Sequence, residues 1–147
     1  MIGMRTHAVI CAMAILALAG CEKSSPTEPS GDLAGTWSGP IAGTAAGDGT
    51  VQLVLTQAGN GVAGTYTLTY TDTSKNQSGV AGGTLIGSSL TLTLTPAQPL
   101  VCSSSVTLSG TMSATLTLSA PDRLEGSYAA FACGGAIGGS IAVQHQP

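Results

Sequence analysis

Few side chains in this 147-residue chain are suited to catalysis. Serine-type nucleophilic catalysis needs a histidine base beside the nucleophile, and the two histidines of the chain are His7 and His145. His7 lies in an N-terminal segment that we expect to be removed, and His145 lies in a polar C-terminal tail where we expect it to be solvated. The histidines therefore do not predict a catalytic triad.

The carboxylates do not predict an active site either. Asp48, Asp72 and Asp122 fall in separate turn-like stretches, where aspartate is common because its side chain bonds the local backbone. Glu125 lies at an outward position beside Arg123, whereas carboxylate catalysis needs two acids that converge in a cleft. We expect no enzyme activity and no cofactor.

The N-terminal segment has the composition of a secretory signal peptide. A basic start, Arg5 and His7, precedes an unbroken apolar run over residues 8–18, and two small residues follow before Cys21. The run is shorter than the roughly 20 apolar residues that cross a bilayer. The sequence predicts that residues 1–20 are a signal peptide that is cleaved off.

The four residues Leu18-Ala19-Gly20-Cys21 resemble the lipobox of bacterial lipoproteins, in which lipid is attached to the cysteine and cleavage occurs before it. The resemblance implies that Cys21 carries diacylglycerol and fatty acids such as palmitate, and that it anchors the protein to a membrane without spanning it. In many Gram-negative bacteria an aspartate after the cysteine retains the protein at the inner membrane. Here Glu22 follows, which favours the outer membrane of the cell envelope.

Residues 21–34 are polar, contain two prolines and show no periodicity, which predicts a disordered tether between the lipid and a folded domain. From Cys21 onward, three basic and seven acidic residues give a formal charge of −4, and the cations are not clustered. This composition argues against nucleic acid binding and against a polybasic lipid-binding patch. Membrane attachment is expected from Cys21 alone.

Cys102 and Cys133 are the remaining cysteines of the exported domain. An oxidising compartment favours a disulfide between them. Two distant cysteines and one histidine do not supply the ligands of a metal site, so we expect no metal.

Residues 35–145 show a β pattern throughout. Residues 90–95 alternate strictly between leucine and threonine, and period two with polar residues between the apolar positions is typical of antiparallel strands with one buried face. The pattern apolar-x-Gly-x-apolar recurs around five glycines on the inward parity, which suggests strands that bend sharply to close a small barrel. These glycines are Gly39, Gly64, Gly110, Gly126 and Gly139.

Turn signals predict eight strands in hairpin order, which describes an all-β, antiparallel up-and-down meander barrel. The predicted strands cover residues 35–41, 49–57, 62–71, 79–86, 89–95, 104–119, 123–131 and 136–144. The strand at 104–119 is long, and a break near residues 110–113 would give nine strands. Cys102 and Cys133 then lie at one end of the barrel, although a tight turn at Pro121-Asp122 would place Cys133 opposite a residue near 109.

The start of the first strand, Gly35-Thr36-Trp37, resembles the opening of the first strand in lipocalins and avidins, and avidins also have a later Gly-Thr-Tyr, here Gly64-Thr65-Tyr66. These calycin-like barrels hold ligands in an open mouth. The resemblance implies a barrel in which Trp37 packs over one end as a structural plug. Trp37 is the only tryptophan and the lipocalin Thr-Asp-Tyr motif is missing, so neither family's ligand is implied.

Two functions remain open. The barrel is either a module that binds a small apolar molecule or lipid, with Tyr66 and Tyr128 as the predicted ligand-binding residues, or a filled, rigid scaffold that contacts an envelope protein. In the second case the contacts come from the loops at residues 72–78 and 96–105, as in small barrels that inhibit proteases or lysozyme. The sequence slightly favours the binding module.

Overall fold

A computed structural model describes residues 31–43, 47–103, 106–108 and 110–147, with side chains described outside residues 101–109. Within these residues, the chain forms ten strands and one short 3₁₀ helix, Thr73–Lys75. The strands are β1 Gly35–Gly43, β2 Gly49–Ala58, β3 Gly61–Tyr70, β4 Gln77–Ile86, β5 Ser89–Pro96, β6 Leu100–Ser103, β7 Val106–Leu108, β8 Met112–Ala120, β9 Arg123–Ala132 and β10 Gly135–His145.

Eight of these strands close into an antiparallel barrel in the order β1-β10-β9-β8-β5-β4-β3-β2. Closure is made by the pairing of β1 with β10, in which Ile41 faces Ile141. Every barrel strand therefore has two hydrogen-bonded neighbours, and the sheet has no exposed edge. The predicted all-β, eight-strand up-and-down barrel is confirmed.

The predicted strand over residues 104–119 is wrong in its first half. The chain leaves the barrel after β5 and forms a separate two-stranded hairpin, β6–β7, before β8 enters the barrel at Met112. Gly110 precedes β8 with a φ of 65°, a left-handed conformation that favours glycine. The pairing of β8 with β9 begins at Met112, which faces Ala130, and the irregularity in this pair lies between Leu118 and Ala120.

The alternation of apolar and polar residues explains why these segments form strands. In β5, Leu90, Leu92 and Leu94 are buried in the barrel, and the threonines between them are exposed. β-branched threonine suits a half-exposed pleated surface, and the leucines gain from burial. No polar or charged residue among the described ones is buried in the core, apart from tyrosines and a tryptophan that are themselves largely apolar.

Glycines on the inward face lie where the backbone of a paired strand approaches closely. A Cβ atom added at Gly39, Gly64, Gly126 or Gly139 would lie closer than 3.0 Å to the backbone carbonyl oxygen of a paired strand. The sequence prediction holds for these four positions and is wrong for Gly110, which lies outside the strands. Two further glycines in β4, Gly79 and Gly83, have the same close contact. These two glycines do not fit the apolar-x-Gly-x-apolar pattern, because Gln77 and Ala81 flank them instead of larger apolar residues.

One end of the barrel is closed by Leu33, which precedes β1, and by Trp37 at the start of β1. Leu33 and Trp37 are fully buried there, and the Trp37 indole Nε1 donates a hydrogen bond of 3.0 Å to the Leu33 carbonyl oxygen. Gln57 fixes this segment, because its Oε1 accepts a 2.8 Å hydrogen bond from the Leu33 amide. The sequence predicts a tether over residues 21–34, but Leu33 belongs to the core, so the last part of that range is part of the barrel.

Two adjacent glycines of β4 test the role of the inward positions. Gly83→Ala should lower the free energy of unfolding by about 1–3 kcal/mol, because its Cβ would meet the Thr91 carbonyl oxygen and the backbone would have to shift. Gly82→Ala is the matched control: Gly82 is exposed, its Cβ would meet nothing within 4 Å, and alanine should be neutral or stabilising by up to about 1 kcal/mol. Urea unfolding measures both. Equal effects of the two substitutions would contradict the explanation.

Candidate functional site

A cavity of about 450 Å³ opens at the end of the barrel opposite Leu33 and Trp37. This open end carries the β3–β4 loop with the 3₁₀ helix, the base of the β6–β7 hairpin and the β9–β10 turn. The cavity is mainly apolar, and its walls include Leu68, Leu100, Met112, Ala130 and Ile137. The inward faces of β3, β8, β9 and β10 position most of these side chains, so the cavity is the unfilled upper part of the barrel interior.

Three tyrosines form the polar part of this interior. Tyr70 and Tyr128 line the cavity, and Tyr66 lies four residues before Tyr70 on the same inward face of β3. The Tyr66 hydroxyl donates a 3.1 Å hydrogen bond to Oε1 of Gln77, which also lines the cavity. Of the two predicted ligand-binding residues, Tyr128 is on the cavity wall and Tyr66 is behind it. Sequence reasoning missed Tyr70, although it shares the parity of Tyr66 and Leu68.

Two glycines make room for the cavity tyrosines. A Cβ atom at Gly43 would lie closer than 3.0 Å to the Tyr128 hydroxyl, and one at Gly49 would lie closer than 3.0 Å to the Tyr70 ring. These glycines end β1 and begin β2 at the open end of the barrel. Backbone without side chains at these two positions is what allows the tyrosines to lie inside the mouth.

The hydroxyls of Tyr70 and Tyr128 are accessible from the cavity. Within the described residues, neither hydroxyl has a protein hydrogen-bond partner, and no fully buried side-chain nitrogen or oxygen lacks one. Both hydroxyl oxygens must therefore reach solvent, although the two residues are only 6% and 5% exposed. The cavity is the open space that both residues border.

Burial keeps the tyrosines protonated. Burial, together with the nearby Tyr70, raises the pKa of Tyr66 to about 12, and burial, together with the nearby Tyr128, raises the pKa of Tyr70 to about 12. Burial also raises the pKa of Tyr128. Since the ordinary value is 10.0, all three side chains are neutral hydrogen-bonding groups at physiological pH.

The rim of the cavity is ordered by local hydrogen bonds. Asp72 begins the 3₁₀ helix and accepts hydrogen bonds from the Ser74 hydroxyl and amide, which lower the pKa of its carboxyl group, with a smaller contribution from Lys75. Asn76 accepts a 2.8 Å hydrogen bond from the Tyr70 amide and ties this loop to the end of β3. Asp72 therefore has the structural turn role that the sequence indicated for it.

The two cysteines of the domain, Cys102 in β6 and Cys133 in the β9–β10 turn, both lie toward the open end of the barrel. Cys133 lines the cavity and is not a free thiol. Cys102 lies in β6, and its side chain is outside the described residues. Their pairing stays a prediction. Cys21, the predicted lipidation site, also lies outside the described residues.

His145 is not part of a polar tail, as the sequence suggested. It is the last residue of β10, and its ring packs edge-on against Trp37 with a centroid distance of 5.0 Å. Its Nε2 lies 3.3 Å from the Ala34 carbonyl oxygen. The exposed side of the ring remains in solvent, and the contacted side covers the closed end of the barrel.

Among residues 31–147, as far as the structure describes them, no three histidine, cysteine or acidic side chains are grouped closely enough to hold a metal ion. No helix in the described part of the chain is long and apolar enough to span a membrane. No protein-family model matches the sequence, and no curated protein matches it. The likeness to calycin-type barrels is compatible with the closed eight-strand barrel and rests on that architecture and the quoted motifs.

The tyrosines predict a loss of stability at high pH. A group whose pKa is raised by folding contributes stability that is fully present below its unfolded pKa, near 10, and is lost as pH rises toward the folded value of about 12. The free energy of unfolding should therefore fall between pH 10 and 12. Tyr70→Phe should make this fall less steep. Denaturant unfolding over this pH range measures it, and an unchanged slope in the variant would contradict the assignment.

Proposed function

We propose that this protein is a lipid-anchored binding module that takes up a small apolar molecule in the mouth of its barrel. The observation that carries the proposal is the difference between the two ends. One end is filled by Leu33 and Trp37, and the other opens into a cavity of about 450 Å³. A rigid scaffold would not need this unfilled space, because close packing of the interior contributes stability.

The size and lining of the cavity support a small-molecule ligand. Ligand sites are typically concave, about 300–1,000 Å³ in volume, mainly apolar, and provided with a few polar groups that orient the ligand. Here Leu68, Met112 and Ile137 supply apolar surface, and Tyr70 and Tyr128 supply accessible hydroxyls. No catalytic role is proposed for these groups.

The place where the chain enters the barrel supports an arrangement on the membrane. Residues 31–34 lie at the closed end, so a lipid on Cys21 would hold that end toward the bilayer. The mouth would then face away from the membrane, into the compartment from which a ligand or partner arrives. We propose the cell envelope, at the outer membrane, as the location, with Cys102 and Cys133 paired in its oxidising compartment.

The alternative, contact with an envelope protein, has one observation in its favour. Phe131 is 70% exposed and lines the mouth together with Ser74 and Lys75 of the loop at residues 72–78 and with Leu100. An exposed aromatic side chain next to a loop is typical of a protein contact. A partner captured only when Phe131 and this loop are intact, from a protein that retains no small molecule, would favour this function.

The binding proposal is tested by filling the cavity. Ala130 is a half-buried wall residue, and Ala130→Trp should lower the affinity for an apolar fluorescent probe by about tenfold or more, because the indole ring takes up ligand space. Ala129→Trp is the matched control, since Ala129 is exposed on the outer face of the same strand. Native mass spectrometry of gently purified protein should show a bound molecule in wild type and control. Equal binding by both variants would contradict the proposal.

Lipidation and the disulfide are tested together by intact mass. Protein purified from membranes of its host should begin at Cys21 and carry the added mass of acyl chains, and Cys21→Ser should move it to the soluble fraction because stable anchoring requires the chains. Peptide mapping without reductant should link Cys102 to Cys133. A Cys102→Ser variant that still shows Cys133 in a bonded form would contradict that pairing.

A further inference from the structure

Among the described residues, no cation is buried in the walls of the cavity. Lys75 is the single charged residue among them that lines it, and its ammonium group lies at the rim, 3.8 Å from the carboxylate of Asp72. Both side chains are about half exposed, so water screens them. The stretches next to the mouth whose side chains are not described, residues 44–46 and 101–109, contain no charged residue in the sequence.

The net charge of the open end favours a neutral or cationic ligand over an anionic one. From residue 31 onward, the charged residues at this end are Asp48, Asp72 and Lys75, a net charge of −1, and the others lie at the closed end. An anionic ligand would approach a weakly negative rim and would then lose its hydration in an apolar space. Burying an unpaired charge is costly, whereas a neutral oxygen needs only a hydrogen-bond donor.

Neutral donors are available in the cavity. Among the described residues, the hydroxyls of Tyr70 and Tyr128 have no protein hydrogen-bond partner, and high pKa values keep them protonated. Gln77 adds a third donor, because its Oε1 is occupied by Tyr66 and its Nε2 lies 3.5 Å from the position a Cβ would take at Gly110, at the base of the hairpin. Three neutral donors beside apolar walls match the acceptor oxygen of an uncharged molecule.

We infer that the cavity selects neutral amphipathic molecules, with an apolar body and an accepting oxygen such as that of a ketone, ester or alcohol, and discriminates against carboxylates and sulfonates of the same shape. This inference rests on the proposed binding function and names the ligand class of that site. The tyrosine hydroxyls act as the recognition groups, and the lack of a buried cation excludes the anions.

A matched pair of fluorescent probes tests the charge selection. N-phenylnaphthylamine and anilinonaphthalene sulfonate share one aromatic body, and the second carries an added sulfonate. The lipid-anchored protein in mild detergent should bind the neutral probe about tenfold or more tightly than the anion. Equal or tighter binding of the sulfonate would overturn the inference and leave the binding function standing. If neither probe nor any competitor binds, the proposed function itself fails.

A cation placed at the rim should weaken the selection. Gln77→Lys puts an ammonium group at the mouth and should raise the affinity for the sulfonate relative to that for the neutral probe by about threefold or more. Gln52→Lys is the matched control, because it makes the same charge change on the exposed outer face of β2. An equal gain in both variants would assign the effect to net charge and overturn a role for the cavity.

The hydroxyls are tested by competition with naphthalene and its methyl ketone, acetylnaphthalene. Wild type should prefer the ketone, and Tyr70→Phe with Tyr128→Phe should reduce that preference by about three- to tenfold, the value of one or two lost hydrogen bonds. Tyr66→Phe is the control, because that hydroxyl is already bonded to Gln77 and does not line the cavity. A preference that survives the double substitution, or that is lost equally in the control, would overturn recognition by these hydroxyls.

Discussion

The close approach of a neighbouring backbone to the inward face of each bent strand is the constraint on which this barrel depends. At Gly64 and Gly126, the carbonyl oxygen of the paired strand occupies the space where any other residue would place its Cβ. A sheet can coil this tightly only where the side chain is missing, and small barrels need such coiling to close. Seven inward glycines share this contact, so the conformational cost of glycine is spread over several strands. They are Gly39, Gly49, Gly64, Gly79, Gly83, Gly126 and Gly139.

Closure then produces two unlike ends. Strand β1 begins and strand β10 ends at the end of the barrel where Leu33 and Trp37 fill the interior. There, His145 packs on Trp37 from outside. At the other end, small residues such as Ala130 occupy inward positions, and glycines next to Tyr70 and Tyr128 leave room for the rings. The same lack of side chains that lets the sheet bend also leaves the upper interior unfilled.

Strict alternation made most of the strands predictable, and it also caused the main error. Val106, Leu108, Gly110 and Met112 keep one parity, so the pattern continues across the point where the chain makes a left-handed turn at Gly110. Parity reports which face a residue takes within a strand and does not report that the strand has ended. Leu33 was missed for a related reason, because a single apolar residue in a polar segment has no period, and its burial depends on Gln57 from a distant strand.

The cavity was less predictable than the fold, since its volume depends on how side chains from different strands meet. Tyr66 and Tyr70 have the same parity, yet the Tyr66 hydroxyl is bonded to Gln77 while Tyr70 borders open space. What the sequence does contain is the shortage of charge. Only 7% of all residues are charged, and those from residue 31 onward are not buried in the core. An interior assembled from leucine, alanine, glycine and tyrosine can offer hydrogen bonds but no counter-ion, and this difference in chemistry decides which molecules can enter it without losing solvation energy.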